Sequence, residues 1–333
     1  MIFTLLVLVF AVSCGLTGFL RRYALSRSLM DIPNERSAHS VPTPRGGGVS
    51  IVIAFLLALP VLALLDLLSL PALMALSGAG MLTAVIGFAD DHGHIAARWR
   101  LLGHFIAAVW VLFWFGGIAP IELLGVSLTP GWFGGVVGAI YLVWLLNLYN
   151  FMDGIDGLAS VEAISVCLGM CLIYWMGGVI ELIWAPLILV WAVVGFLCWN
   201  FPLARIFMGD AGSGFLGIIL GAMALQSAWS KPELIWNWLI LLGVFIVDAT
   251  WTLIRRLIGG DKVYQAHSSH AYQKAARRWG HKKVTVSVVA INVVFLLPVS
   301  ILVSQDYLNV VAGICMAYLP LIFVAYLLKA GRT

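Results

Sequence analysis

Residues 182–200 read LIWAPLILVWAVVGFLCWN, and the chain runs on through FPLARIFMGDAGSG from 201 to 214. No residue between 182 and 200 is charged. About twenty apolar residues in a helix span the hydrocarbon core of a bilayer, so 182–200 reads as a membrane crossing. The stretch beyond it is of another kind: Asn200, Arg205 and Asp210 arrive together where the apolar run ends. Ionisable groups at such a boundary are costly and tend to face a protein interior or a wet cavity.

The same alternation of apolar run and polar junction covers all 333 residues, and it predicts eleven spans. They lie near 2–20, 47–68, 71–89, 100–118, 133–151, 157–177, 181–200, 211–229, 233–256, 284–303 and 307–328. With 62% hydrophobic and 10% charged residues, and a mean hydropathy of +1.03, a water-soluble globule is excluded. The fold class expected is an all-α, polytopic integral membrane protein forming one transmembrane domain over 1–333. Met1–Leu20 has no basic stretch ahead of it and is followed by Arg21 and Arg22, so it reads as an uncleaved first span. The five cysteines, an odd number inside apolar stretches, read as buried inert thiols.

Basic residues set the orientation. With the N-terminus periplasmic and the C-terminus cytoplasmic, only Lys231 of the 19 Lys and Arg residues falls outside. The inner loops expected to carry chemistry are then 21–46, 90–100, 151–157, 200–211 and 255–283. Asp66, Glu122, Glu181, Glu233 and Asp306 scatter singly on the outer side, whereas Asp90, Asp91, Asp153, Asp156 and Asp210 gather at inner helix ends. Asp248, about seven residues inside the ninth span, stands apart and reads as a structural partner for an Asn or Arg.

Four inner motifs invite a chemical reading. Asp90-Asp91 ends the third span, with Arg98 and Arg100 close behind. Neighbouring helical carboxylates point about 100° apart, so one could hold a metal while the other acts as a base. At a helix C-terminus both oppose the macrodipole, which argues against a purely structural placement. In the second motif Asn147, Asn150, Asp153 and Asp156 recur every three residues, and Gly154 and Gly157 let backbone approach a ligand. In the third, Asp210 can be either an N-cap of the following helix or a metal ligand. The fourth, Arg255–Lys283, is a basic loop holding His267-Ser268-Ser269-His270, whose histidines would face one ligand if helical. It reads as a lipid-facing basic loop and as a phosphate site. The first inner loop adds Asp31, Asn34, Glu35, Arg36, His39 and Arg45, and then Gly46-Gly47-Gly48, where backbone could crowd a helix or a phosphate. Carboxylates suited to Mg²⁺ and cations suited to phosphates on one face fit phosphoryl transfer involving a lipid phosphate.

These motifs resemble the polytopic polyprenyl-phosphate N-acetylhexosamine-1-phosphate transferases (glycosyltransferase family 4), from about Asp31 to His270. The resemblance implies transfer of a sugar-1-phosphate from a UDP-N-acetylhexosamine to undecaprenyl phosphate in the bacterial inner membrane, with release of UMP and with Mg²⁺ (or Mn²⁺ in its place) as cofactor. It implies Asp90 as the base toward the lipid phosphate, Asp91 near the metal and Asp210 as its direct ligand. Asn200, Asp153 and Asp156 would line the nucleotide-sugar cavity, and His267 and His270 would contact the diphosphate. Asn147, Asn150, Arg45, Arg98 and Arg100 complete the expected substrate contacts. Partners expected are the two substrates and the bilayer, with a homodimer admissible and no nucleic acid. Relatives that make peptidoglycan precursors carry three consecutive histidines where this chain has His267-Ser268-Ser269-His270. The loop through Ala271-Tyr272-Gln273 is more similar to that of O-antigen-initiating enzymes that accept 6-deoxy-N-acetylhexosamines. A secondary transporter is the rival reading, though transporters bind at the midplane between repeated halves, which this sequence does not show. A scaffold for polysaccharide assembly is a third, with no reason to keep carboxylates on four segments.

Overall fold

The computed structural model describes residues 1–33, 41–93, 95–123, 126–129, 131–261 and 267–332. Asn34, Glu35, Arg36, His39 and Lys262 lie outside the described residues. The chain is 77% helical. The first four helices are α1 (Ile2–Ser26), α2 (Val49–Leu64), α3 (Leu70–Gly93) and α4 (Ala97–Phe115). Next come α5 (Gly131–Met152), α6 (Leu158–Met176), α7 (Trp184–Asn200) and α8 (Asp210–Ser230). The remainder comprises α9 (Leu234–Leu241), α10 (Gly243–Ile258), α11 (Ala271–Trp279), α12 (His281–Ala290), α13 (Leu297–Ser304) and α14 (Val310–Leu327). Two short antiparallel pairs, β1 (Met30–Asp31) with β2 (Thr43–Pro44) and β3 (Ile121–Leu123) with β4 (Val126–Leu128), close loops.

Eight helical segments are long and apolar enough to cross a membrane, counting α12 to α13 as one, and so is the pair α9–α10 if taken as a single span bent by 69°. The polytopic all-α class therefore stands. The second expected span differs: 47–68 contains only the 16 helical residues of α2, because Gly46–Gly48 are drawn into a loop contact and the chain turns at Asp66 with positive φ. The thiols differ too. Cys167 is buried, but Cys198 and Cys315 are exposed, on helix faces whose other residues are apolar.

Helix α8 is the hub. Of its spanning window 94% is buried, against 22% for α1 and α14. Its sequence explains this, since the small residues of AGSGFLGIILGAMA let neighbouring backbones approach closely. At Gly87 a Cβ would stand 2.5 Å from the Ala211 nitrogen, so only glycine lets α3 cross the start of α8 this tightly. The C-terminal end of α3 is thereby brought to the N-terminus of α8, and Gly217, where a Cβ would stand 2.6 Å from the Leu146 Cα, does the same for α5. Gly48, in turn, sits on Gly212, where a Cβ would meet its Cα at 2.5 Å. The glycine triplet thus serves helix crowding.

Candidate active site

At the N-terminus of α8 four stretches of chain meet around a cavity of about 160 Å³. Gly47 N donates to Phe207 O at 2.9 Å, Gly48 N to Met208 O at 2.8 Å and Phe207 N to Pro44 O at 2.8 Å. This ladder ties the first inner loop to the 200–209 loop. Gly209, at φ +77°, then turns the chain into α8. Asp31, Arg45, Asp91, Asn150, Asp153, Asn200, Asp210 and Ser213 all line the cavity.

The two adjacent aspartates diverge. Asp91 is 6% exposed and turns onto α8, accepting from Asp210 N and Ala211 N, each at 3.4 Å. Its position at the end of α3 is unfavourable to the dipole of that helix but favourable to that of α8. Arg45 Nη2 donates to the Asp91 carbonyl at 2.6 Å, while its Nε is buried without a partner. Asp90 accepts from Ile95 N at 2.6 Å and pairs closely with Arg100, and its carboxyl also meets that of Asp210. Arg100 also reaches Asp210 Oδ2 at 3.4 Å.

Asp210 is not the N-cap. Gly209 holds that position without a side-chain bond, and Asp210 Oδ1 instead accepts from Asn150 Nδ2 at 3.0 Å. The same amide donates to Ser213 Oγ at 2.9 Å. Asp153 opens into the cavity but is otherwise enclosed by protein. Desolvation first, and the Asp210 and Asp91 charges next, push its carboxyl up to about 7.

The donor set fits a hard divalent cation. Four carboxylates, Asp31 of the first inner loop, Asp91 of α3, Asp153 and Asp210 of α8, share one cavity whose lining, among the described residues, has Arg45 as its cation. Among the described residues no three His, Cys, Asp or Glu converge into a ready cage. That suits Mg²⁺, which takes one or two carboxylates and completes its octahedron with water and substrate phosphate. At 160 Å³ the cavity suits a metal and phosphates, being smaller than the roughly 300–1,000 Å³ that encloses a whole drug-sized ligand.

Other expected residues are placed elsewhere. Asn147 donates to Val143 O within its own helix at 2.7 Å, and Arg98 is exposed over the Trp99 ring. Asp156 does not line the cavity. It accepts from Ala204 N at 3.1 Å, lies 3.0 Å from His281 Nδ1, and takes Thr285 Oγ1 on its carbonyl at 2.8 Å. Asn200 lines the cavity yet also braces it, accepting from Gly157 N at 2.8 Å and donating to Ile206 O at 2.9 Å. The histidines are not helical: His270 is the N-cap of α11, at ψ 151°, and His267 precedes it in an irregular segment. Their rings nonetheless stack with centroids 4.9 Å apart. Burial, with the neighbouring His270 and Arg256, holds the His267 imidazole down to about 4.

Asp248 supports this loop, and with partners other than the Asn or Arg expected. Its two oxygens accept from Ala271 N and Tyr272 N, both at 2.8 Å, and His270 Nδ1 stands 3.4 Å away. Tyr272 OH then donates to Phe151 O at 2.9 Å, two residues before Asp153. The histidine loop is thus buttressed onto the cavity rim. Asp31, expected only as part of the first inner loop, lines the cavity, and so does Ser213, to which the sequence assigned no role. Ser213 falls three residues after Asp210, the spacing that puts side chains on one helix face.

A bundle of apolar helices with an acidic, arginine-bearing cavity at one end has the chemistry to hold phosphate groups. Residues 73–228 match the family described as glycosyl transferase family 4, and the chain carries a domain of that family. Over 299 residues it is 27% identical to a probable undecaprenyl-phosphate N-acetylglucosaminyl 1-phosphate transferase of Bacillus subtilis, covering 87% of this chain and 81% of that one. It is 29% identical to a decaprenyl-phosphate N-acetylglucosaminephosphotransferase of Mycolicibacterium smegmatis, covering 78% and 71%. It is 27% identical to a phospho-N-acetylmuramoyl-pentapeptide-transferase of Moorella thermoacetica, covering 84% and 90%.

Proposed function

We propose that this protein transfers an N-acetylhexosamine-1-phosphate from a UDP-sugar to undecaprenyl phosphate, releasing UMP, at the cytoplasmic end of eleven spans in a bacterial inner membrane. The observation that carries the reading is the cavity at the head of α8, where Asp91, Asp153, Asp210 and Arg45 arrive from four separate segments. The relatives' names supply the substrate class. Eleven spans result when α2, α4 and the bent pair α9–α10 are counted with the eight segments that are long and apolar enough on their own.

Asp210 and Asp91 would hold Mg²⁺, with Asp153 beside them, and the metal would neutralise charge on the diphosphate. Arg45, with its unpartnered buried Nε, is placed to bind a phosphate oxygen. Asp90 is engaged by Arg100 and Ile95. Its role in this arrangement is to hold Arg100 beside Asp210, or to take a residual proton from the acceptor. A phosphate monoester is largely dianionic at neutral pH, its second pKa being about 6, so it needs positioning more than deprotonation. An oxygen of the lipid phosphate would attack the β-phosphorus as the bond to the bridging oxygen breaks, and UMP leaves with that oxygen. One in-line displacement suffices, and no aspartyl-phosphosugar is needed.

The sugar belongs to the same proposal. Overall identity does not rank the choices, since acetylglucosaminyl and muramoyl-pentapeptide relatives both stand at 27%. The His267-Ser268-Ser269-His270 loop favours a 6-deoxy-N-acetylhexosamine, such as N-acetylfucosamine or N-acetylquinovosamine, or else N-acetylglucosamine, in the first step of O-antigen or similar polysaccharide synthesis. Purified enzyme should convert undecaprenyl phosphate and one of a panel of UDP-N-acetylhexosamines to lipid-linked product and UMP. With lipid rigorously removed, no stoichiometric burst of UMP should appear. Absence of product with every sugar would sink the reading, and a burst would replace one displacement by two.

A further inference from the structure

Glu162 lies one turn into α6, inside a spanning helix, and is fully buried. Its Oε2 accepts from Asn292 Nδ2 at 2.7 Å, and the same amide nitrogen donates to Ser165 Oγ at 2.7 Å. Both N–H bonds of the amide are therefore used. Two acceptor oxygens remain without a donor: Glu162 Oε1 and Asn292 Oδ1, in residues 0% and 2% exposed. Asn292 sits in a stretch wound as a π-helix, Ile291–Leu296, between α12 and α13. Such turns re-aim side chains and are found where a helix has a particular residue to present.

An ionised Glu162 would leave both oxygens bare. A carboxylate offers only acceptors, an amide oxygen does the same, and in a dry interior each orphan is costly. Among the described residues no Lys, Arg or His forms an ion pair with Glu162. One added proton repairs the arrangement, because Oε1–H can donate to Oδ1 while Nδ2 continues to donate to Oε2. The Phe245 backbone N–H, in the first turn of α10, also faces the carboxyl. That donor favours the carboxylate, but the carbonyl oxygen of a neutral acid still accepts from it, so protonation leaves this bond in place.

We propose that Glu162 is a neutral carboxylic acid closed into a cyclic acid–amide pair with Asn292, a proton-bearing latch that fixes α6 against the π-helical turn and so positions the 151–157 loop. The latch has a second level nearer the cavity, where Asp156 meets His281 and Thr285 of α12. The start of α6 and the segment before it are thus tied to the continuous α12–π-helical stretch at two levels, and that segment, between Met152 and α6, carries Asp153. Glu162 itself touches no substrate.

Glutamine separates the proposal from its rivals, because a Gln–Asn pair reproduces both hydrogen bonds without a titratable proton. The full-length wild-type protein in lipid or detergent should show a protonated-carboxyl C=O infrared band at neutral pH, shifted in D₂O and missing from Glu162→Gln. The glutamine variant should melt within about 2 °C of wild type, whereas Glu162→Ala, which strands the Asn292 amide, should fall by about 4 °C or more. UMP formation should show the same order, near wild type for Glu162→Gln and several-fold lower for Glu162→Ala. The band and the melting points do not depend on the proposed reaction, so the latch can fail without it. Absence of the band would overturn the proposal, and so would a Glu162→Gln protein as unstable as Glu162→Ala. Stabilisation of wild type by Na⁺ that glutamine abolishes would instead identify an ionised cation site.

Discussion

Asp210 is the first residue of α8, one place after the N-cap Gly209, and its carboxylate turns away from the helix to Asn150 and Arg100. Asp91, from another helix, covers the α8 N–H groups instead. Replacing Asp210 with Asn should therefore leave folding intact and lower kcat by about a hundredfold or more, the scale on which preorganised charge acts in catalysis. Its residual activity should also demand more Mg²⁺ than that of a Glu233→Gln control. Normal turnover at limiting Mg²⁺ would return the residue to a structural role. His267 is suited to a pH measurement. Its imidazole, facing His270, Arg256, Asp248 and Asp261, titrates near 4 in the folded protein, below the ordinary value near 6.5. The unfolded chain thus binds more protons between those values. The contribution of His267 to stability is full above pH 6.5 and is lost as pH falls toward 4. Melting temperature should rise less steeply between pH 4.5 and 7 in His267→Gln than in wild type, and equal slopes would show that this ring is not held neutral.

The crossing of α3 over α8 turns a sequence motif into a site, and it hangs on one missing side chain. Gly87→Ala would drive a methyl group to 2.5 Å from the Ala211 nitrogen and the Asp210 carbonyl carbon. Backbone atoms cannot swing aside, so overpacking of about 1–3 kcal/mol is expected, with Asp91 displaced from Asp210 and activity lost. Gly135→Ala on α5, where nothing lies within 4 Å, is the control and should be silent in both melting point and turnover. Legibility in the sequence divides along the same line. Apolar runs announce spans because the bilayer demands uninterrupted hydrophobic helix, and polar helix ends announce the Asp91, Asp153 and Asp210 cavity. The 69° bend between α9 and α10 falls at Leu241-Leu242-Gly243, within one apolar run, and has no such signal. Pairings across helices are equally silent: Asp90 with Arg100, Asp156 with His281 and Asp248 with the backbone of α11 depend on which faces meet. Glu162 did carry a local sign, as an acid five residues into an expected span. Its partner, 130 residues away, did not.

At the scale of the whole molecule, the two ends are chemically different. At one, Arg21 Nε donates to Arg205 O, Arg45 enters the cavity, and Lys274 Nζ donates to the carbonyls of Lys329 and Arg332. At the other, Lys231 donates to Gly177 O, while Asp66 and Glu181 line an open hollow with Trp114 and Trp229. Basic residues are retained on the cytoplasmic side during insertion, so the cavity end should be cytoplasmic and the Lys231 end periplasmic. The relation is chemically consistent with the proposed reaction, because a nucleotide sugar is a cytosolic solute and the polyprenyl phosphate can present its head group at the same surface. A reporter joined after Thr333 should then be active only as a cytoplasmic fusion, and one inserted at Thr129, between β4 and α5, only as a periplasmic one. Two reporters on the same side would mean that the number of crossings between them is even, which eleven spans with this orientation do not permit. Moving the charge should move the topology: adding several Lys residues beside Lys231 ought to lower the fraction of molecules with Thr129 outside, whereas the same number of added Glu residues ought to leave it nearly unchanged.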